Sequence, residues 1–175
     1  MNMEKTPLTT FDPERKAVIN FLRDARSPWK MRLYFLKNLP SAFFWGMKVN
    51  SLSPGHCSVH LPYGWRTQNP FRSIYFAAQL GAAELSTGLL ASLAIRGRGP
   101  VSMLVTGIES DFVKKADSLT TFTCNQGEAI IQAVDAALAT GQPQQITVVS
   151  VGTKPDGQVV SRTQVTWSFK AKNES

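Results

Sequence analysis

The segment FAAQLGAAELSTGLLASLAI, residues 76 to 95, decides the fold of this 175-residue chain. It is long enough to span a bilayer, and Arg72 and Arg96 flank it. Two features oppose insertion: Glu84 would lie near the membrane centre at a cost of several kcal/mol, and half of the residues are Ala, Gly or Ser. Small residues let other backbone approach a helix closely on several sides. We therefore expect a helix wrapped inside protein, with no membrane insertion.

Length and composition favour one compact domain with some hidden surface. At roughly 100 to 200 residues per domain, 175 residues leave little for a second one. Hydrophobic residues make up 43% of the chain and charged residues 18%, which argues against disorder. Since so little of the surface is charged, part of it is expected to be buried in an oligomer.

The distribution of charge isolates one acidic residue. Nineteen Lys and Arg against twelve Asp and Glu give a net charge of +7. Glu84 is nevertheless the one acid between Asp24 and Glu109. There is no strongly basic run and no aromatic signature of RNA binding, so nucleic acid is not an expected partner.

Cysteine and histidine spacing excludes metal cages and disulfide frameworks. Cys57 and Cys124 lack a Cys-x-x-Cys spacing, so buried free thiols in a reducing cytoplasm are the simpler interpretation. His56 and His60 lie on an expected strand, where residues four apart are separated by about 13 Å, too far to share a metal ion. The N-terminus has no apolar signal-peptide region, which also predicts a cytoplasmic protein.

Turn and cap signals divide the rest of the chain into elements. Helices are predicted to start at Asp12-Pro13, Ser27-Pro28 and Asn69-Pro70, the third being the central helix. The first two cover residues 12–25 and 28–38. Alternating side chains predict strands, and Asn125 with Glu128 predicts a capping box for a helix that ends at Gly141. The predicted strands are 42–52, 56–61, 101–113, 118–124, 145–153 and 158–170.

A curved antiparallel sheet can surround a long apolar helix of this kind, which is the α+β hot-dog arrangement. Over about residues 40 to 170 the sequence resembles the hot-dog thioesterase superfamily, specifically its phenylacetyl-CoA-thioesterase-like branch and uncharacterised thioesterase-like relatives. The most specific segment is NPFRSIYFAAQLGAAELSTG, residues 69 to 88. Asn69 matches an Asn that precedes the helix in that branch, and Glu84 matches an acid inside it. Where relatives often have His-Gly-Gly, this chain has Tyr75-Phe76-Ala77.

The resemblance implies a catalytic set on the central helix. Glu84 would be the general base that activates water, because burial raises a carboxyl pKa; the alternative is a structural acid. Asn69 would orient the water or the carbonyl, or simply cap the helix. Tyr75 would supply a hydroxyl, or be a core aromatic. Backbone N–H groups among residues 71 to 77 would stabilise the oxyanion.

Three basic residues are candidates for binding the phosphates of coenzyme A. Arg96 and Arg98 follow the central helix, and Lys114 follows the next strand. The spacing is not that of a P-loop, so solvated turns remain the alternative. There is also no Gly-x-Ser-x-Gly elbow, and a serine hydrolase is therefore poorly supported.

The expected function is hydrolysis of a small-molecule acyl thioester, with coenzyme A as part of the substrate and no separate cofactor. The alternative is a non-catalytic acyl-CoA or fatty-acyl binding module on the same fold. Open strand edges predict a homodimer or a dimer of dimers. Residues 1–38 are expected to form a helical extension packed on a hot-dog domain of residues 39–175, with Trp29, Leu33 and Leu36 on the sheet or over an acyl tunnel.

Overall fold

The structure is a computed structural model that describes residues 9–172. Its helices are α1 (Lys16–Ala25), α2 (Pro28–Asn38), α3 (Pro40–Trp45), α4 (Phe76–Ala94) and α5 (Gly127–Thr140). Its strands are β1 (Lys48–Ser53), β2 (His56–Leu61), β3 (Val101–Phe112), β4 (Thr120–Cys124), β5 (Gln144–Thr153) and β6 (Val159–Ala171).

One antiparallel sheet packs around α4. The six strands are ordered β1-β2-β4-β5-β6-β3, so β1 and β3 form the edges. α4 contacts β2, β4, β5 and β6, and α5 lies against α4, β5 and β6. As predicted, the last strand turns Val165, Trp167 and Phe169 into the core. The α+β hot-dog arrangement predicted from the sequence is confirmed.

Small residues in α4 permit the close packing that the sequence indicated. A Cβ atom added at Gly81 would lie 2.9 Å from the Trp45 ring. At Gly88 it would lie 2.9 Å from Glu84 Oε1 and 3.4 Å from the Trp167 ring. A side chain at either position would therefore require the Trp45 ring, the Glu84 side chain or the buried Trp167 ring to shift.

The N-terminal helices contact the hot-dog core, but not through Trp29, Leu33 and Leu36. α1 contacts α4 and β1, and α2 contacts α3 and β1. α2 buries Met31 and Phe35. Trp29, Leu33 and Leu36 are exposed, so the prediction that they cover the sheet or an acyl tunnel is wrong. The apolar residues of α2 surround the helix, and only the tertiary contacts select the buried face.

Residues 42 to 45 are helical, which corrects the predicted strand 42–52. α3 begins at Pro40 and ends at Gly46, whose φ of 71° is left-handed and favours glycine. The strand itself starts at Lys48. Proline at the first turn and glycine at the C-cap therefore outweigh a short alternation of aromatic residues.

The central helix starts later than Asn69-Pro70 predicted. α4 begins at Phe76 with Tyr75 as its N-cap residue. Asn69 instead closes a tight loop, in which Arg72 has a φ of 58°. An Asn-Pro pair therefore closes a turn here rather than capping the helix that follows.

The predicted capping box of α5 is also wrong, although its end is confirmed. Gln126 is the N-cap residue and no side chain caps the helix. The Asn125 amide oxygen bonds His56 instead. Gly141 terminates the helix in a left-handed conformation, as predicted. Similarly, Asp12 Oδ1 accepts the Glu14 N–H, and α1 begins only at Lys16.

The two cysteines are free and buried, as predicted, and lie opposite each other on β2 and β4.

Within residues 9–172, no helix combines the length and apolar character needed to cross a bilayer.

Candidate active site

Glu84 lies on the partly exposed face of α4. Ala77, Leu80, Gly81 and Glu84 are only partly buried, whereas most of the helix is fully buried. Their spacing of three, four and seven residues places them on one side of an α-helix. This face is therefore partly accessible, with the Trp45 ring packed against Gly81 in its middle.

The carboxylate of Glu84 is desolvated and has no partner in the described part of the chain. Burial raises its pKa above the ordinary value. None of the ion pairs within residues 9–172 involves Glu84, and no hydrogen bond to its carboxylate oxygens occurs there. Its main-chain carbonyl accepts the Thr87 hydroxyl at 2.9 Å. Within residues 9–172 of one subunit, no hydrogen bond or ion pair of the carboxylate supports the alternative that Glu84 is a structural acid.

Two backbone N–H groups at the start of α4 are available for a ligand. The N–H groups of residues 71–75 all donate to acceptors in the surrounding loops. Those of Ala78 and Gln79 donate to the Tyr75 carbonyl. This leaves the N–H groups of Phe76 and Ala77, which find no acceptor among the described residues. Of the N–H groups of residues 71 to 77, which were predicted to stabilise the oxyanion, those of Phe76 and Ala77 are the ones that remain unbonded within residues 9–172.

The unbonded N–H groups and Glu84 lie along the same face of α4. Ala77 and Glu84 share a face of α4, and seven residues correspond to about 10 Å along the axis. Glu84 Oε1, however, lies beside Gly88, where an added Cβ atom would be 2.9 Å away, so the carboxylate points toward the C-terminal end of α4 and away from these N–H groups. The helix start can polarise a carbonyl, and the carboxylate can accept a proton from water; the two act on one substrate once the Glu84 side chain turns toward the helix start.

Asn69 holds its own loop together. Its Oδ1 accepts hydrogen bonds from the Phe71 N–H (3.0 Å), the Ser73 N–H (3.2 Å) and the Ser73 hydroxyl (3.2 Å). Its amide nitrogen makes no hydrogen bond within residues 9–172. The oxygen is thus occupied by the loop, and only the amide N–H groups can meet a ligand.

Tyr75 is too exposed to be a core aromatic. The side chain is 45% exposed, and its ring packs edge-on against Phe76 with 4.7 Å between centroids. Its hydroxyl makes no hydrogen bond in the described part of the chain. Tyr75 therefore lies at the surface, next in sequence to the two residues with unbonded N–H groups.

An open groove of about 510 Å³ lies between the 69–73 loop, the start of α4 and the end of β3. Lys114 lines this groove together with Asn69 and Phe76. Lys115 donates to the Phe71 carbonyl at 3.3 Å. Of the three basic residues predicted to bind coenzyme A, Lys114 is the one beside the helix start.

Arg98 is a structural residue in this fold. Its side chain is fully buried and pairs with Asp135, while also donating to the Ala94 and Thr9 carbonyls. Burial lowers the pKa of Arg98, an effect that the neighbouring Asp135 opposes. These internal contacts occupy the guanidinium, so the surroundings do not support the predicted phosphate contact.

Arg96 lies at the far end of α4 from Lys114. Its guanidinium stacks over Phe21 at 4.4 Å and borders a cavity of about 400 Å³ beneath α1 and α2. The structure therefore does not bring the three predicted coenzyme A residues together. Within residues 9–172, no three His, Cys, Asp or Glu side chains cluster as metal ligands.

Several solved structures with the same fold are described as thioesterases or probable thioesterases. A protein of unknown function from Pseudomonas aeruginosa, described as a probable thioesterase, shares 18% identity, with 83% of this chain and 97% of that chain covered at a TM-score of 0.69. A thioesterase from Haemophilus influenzae shares 13% identity, with coverage of 85% and 93% at 0.64. The PaaI protein of the E. coli phenylacetic acid degradation operon shares 12%, with coverage of 89% and 98% at 0.59.

These likenesses confirm the hot-dog fold predicted from residues 69 to 88. A search of curated proteins finds no match. A family model described as Domain of unknown function (DUF4442) matches residues 33–169, from within α2 almost to the end of β6. The chain therefore belongs to the DUF4442 family and has the hot-dog fold of thioesterase-like proteins.

Proposed function

We propose that this protein hydrolyses an acyl thioester, with an acyl-CoA as substrate and Glu84 as the general base. The observation that carries the proposal is a desolvated, unpartnered carboxylate on the same face of α4 as two unbonded N–H groups. Support also comes from the fold, which occurs in proteins described as thioesterases.

In the proposed reaction, the N–H groups of Phe76 and Ala77 donate to the thioester carbonyl oxygen. Glu84 accepts a proton from water, and the water oxygen forms a bond to the acyl carbon. The tetrahedral intermediate collapses as the carbon–sulfur bond breaks, and the sulfur takes the proton from Glu84. The products are a carboxylic acid and free coenzyme A.

We further propose that the active unit is a homodimer or a dimer of dimers formed along β3. Ile108 and Phe112 on this edge strand pair with Val165 and Ser161 of β6, which are buried against the core. Ile108 and Phe112 themselves remain 44% and 45% exposed. A second copy pairing along β3 would cover this apolar surface and satisfy the open edge.

The groove suits the entry of coenzyme A better than the end of α4 does. Lys114 lines the groove and supplies a positive charge beside the helix start. Tyr75, exposed next to Phe76, would supply a hydroxyl to the substrate. Arg96 lies about 30 Å away along α4, since 20 residues separate it from Phe76. We therefore assign Lys114, rather than Arg96 or Arg98, to a substrate phosphate. Two buried free thiols support a reducing, cytoplasmic location for this reaction.

The rival function is a non-catalytic acyl-CoA or fatty-acyl binding module. It is favoured by the loop that occupies Asn69 Oδ1 and by Phe76-Ala77, which are bulkier than the two glycines of the corresponding family element. Bulk at these positions restricts how closely a carbonyl approaches the N–H groups.

Turnover separates the two functions. Purified protein is incubated with a panel of acyl-CoAs, and free thiol release is measured beside ligand affinity, for wild type, Glu84→Gln and the exposed-acid control Glu14→Gln. Hydrolysis is expected to fall only in Glu84→Gln, with ligand affinity retained. Tight binding without thiol release by wild-type protein would establish the binding module instead.

A further inference from the structure

A continuous series of hydrogen bonds joins five polar side chains on β1, β2 and the segment before α5. Asn50 Nδ2 lies 3.1 Å from Ser58 Oγ, and Ser58 Oγ lies 2.7 Å from Ser51 Oγ. Ser51 Oγ lies 2.7 Å from His56 Nε2, and His56 Nδ1 lies 2.6 Å from Asn125 Oδ1. Ser58 alternates along β2 with the core residues Cys57 and Val59, so this polar network lies on the face of the sheet away from α4.

The donors and acceptors in this network have one consistent direction. An amide oxygen can only accept, so Asn125 Oδ1 requires the proton of His56 to be on Nδ1. In the neutral imidazole His56 Nε2 is then an unprotonated acceptor, and Ser51 donates its hydroxyl proton to it. Ser58 in turn donates to Ser51 Oγ and accepts from the Asn50 amide.

An irregularity of β1 builds one end of the network. The register between β1 and β2 shifts between Val49 and Ser51, which leaves Asn50 as an extra residue. Consecutive strand residues normally point to opposite faces, but both Asn50 and Ser51 reach Ser58. β-Bulges redirect side chains in this way and are common beside functional sites.

Close backbone packing fixes the other end. The Gly127 N–H donates to the Gly55 carbonyl at 3.2 Å, joining the β1–β2 turn to the start of α5. A Cβ atom at Gly127 would lie 1.9 Å from the Pro54 carbonyl oxygen, so only glycine allows this approach. The contact holds His56, at the end of the turn, against Asn125.

We propose that Ser51, His56 and Asn125 form a second acyl-transfer site, in which Ser51 is the nucleophile, His56 the base and Asn125 the positioning residue. A nucleophile bonded to a base that a third group orients is the general arrangement of serine and cysteine acyl-transfer enzymes. Here the serine lies on an edge strand rather than in a Gly-x-Ser-x-Gly elbow. The site is independent of Glu84, which is on α4 at the opposite face of the sheet.

Ser51 is only partly exposed at the outer surface of the sheet, so a small acyl group reaches its Oγ most easily. The substrate class is therefore a short-chain ester with a good leaving group. Ser51 Oγ forms a bond to the acyl carbon while its proton moves to His56 Nε2. The bond to the leaving oxygen breaks, and that oxygen takes the proton. Water then attacks the acyl-serine with His56 again as base, releasing the carboxylic acid and restoring the Ser51 hydroxyl.

The test uses p-nitrophenyl acetate with the full-length protein, measuring nitrophenolate release and locating the acetylated residue by mass spectrometry. Ser53→Ala is the matched control, because Ser53 shares the strand, the face and the partial burial of Ser51 and makes no side-chain hydrogen bond within residues 9–172. Wild type, Ser53→Ala and Glu84→Gln are expected to carry the acetyl group on Ser51. Ser51→Ala is expected to lose it.

Two further variants separate catalysis from a structural network. His56→Gln is expected to slow Ser51 acetylation by about 10² to 10⁴. Asn125→Asp keeps an acceptor for Nδ1–H and is expected to retain the wild-type rate, whereas Asn125→Leu loses at least about tenfold. Acetylation of wild type at other residues only, or an unchanged rate in His56→Gln, would overturn the proposal. Acetylation of Ser51 is measured directly on the wild-type protein. A negative result there counts against the proposal whether or not the variants fold.

Discussion

Glu84 couples the stability of the protein to pH through a single side chain. Burial raises its pKa, so across the window from the ordinary carboxyl value up to the raised one the folded state binds more protons than the unfolded state. The protonated Glu84 therefore makes its full contribution to the free energy of unfolding below that pH window, and this contribution is lost as pH rises through the window.

Glu84→Gln should therefore be at least as stable as wild type near neutral pH, since the amide keeps the volume without a buried charge. Its advantage should disappear once the pH falls below the ordinary carboxyl pKa. Chemical denaturation of both proteins across this pH range checks the prediction. A variant clearly less stable than wild type at neutral pH would mean that the charge has a stabilising partner in the assembled protein.

Asn69 allows a test of its structural contribution apart from catalysis. Asn69→Ala removes an oxygen that accepts three hydrogen bonds, so the free energy of unfolding should fall by about 1–2 kcal/mol. Asn69→Asp keeps a carboxylate oxygen in the same place and should recover most of that loss. Equal stability of wild type and Asn69→Ala in urea unfolding would show that the loop does not depend on these bonds.

At the scale of elements, the attachment of α2 rests on one face. Phe35 is 2% exposed and its neighbour Leu36 is 53% exposed. Phe35→Ala should cost about 3–5 kcal/mol of unfolding free energy. Leu36→Ala, the matched control, should change stability by no more than about 0.5 kcal/mol. Similar losses in both variants would indicate that α2 is covered on its outer face in solution.

Elements with a strong local signal could be predicted from the sequence. Ser27-Pro28 predicted α2 with its observed bounds, and strict alternation predicted the inward residues of β6. The residues 42–45 could not be assigned, because four aromatic and small residues fit period 2 and period 3.6 equally well. Asn69-Pro70 was ambiguous for a similar reason, since the same pair caps helices and closes turns.

The site was predictable where one element carries it. Glu84 and the start of α4 belong to a single recognisable segment, although the sequence did not tell which N–H groups remain unbonded. Contacts between distant segments could not be predicted. The buried Arg98 pairs with Asp135 across 37 positions of sequence, and His56 bonds Asn125 across 69 positions.

At the scale of the whole molecule, β3 should determine the oligomeric state. Wild-type protein is expected to be a dimer or a dimer of dimers by light scattering at micromolar concentration. Ile108→Asp combined with Phe112→Asp places charge on the core-facing side of β3 and should produce monomers. Leu104→Asp is the control, because Leu104 pairs with the outward-facing Ser168 on the same strand and should leave at least the dimer. A monomeric wild type would remove the proposed interface.

The most direct test of Glu84 as the catalytic base is the pH dependence of thiol release from an acyl-CoA, measured for wild type and Glu84→Gln. Wild-type activity should fall on the acidic side with a midpoint above the ordinary range of a glutamate, because the protonated acid cannot accept a proton from water. Glu84→Gln should be slower by about 10² to 10⁴ at neutral pH, and its residual rate should lack this acidic limb. A Glu84→Gln protein with the wild-type rate and the wild-type pH profile would contradict the account.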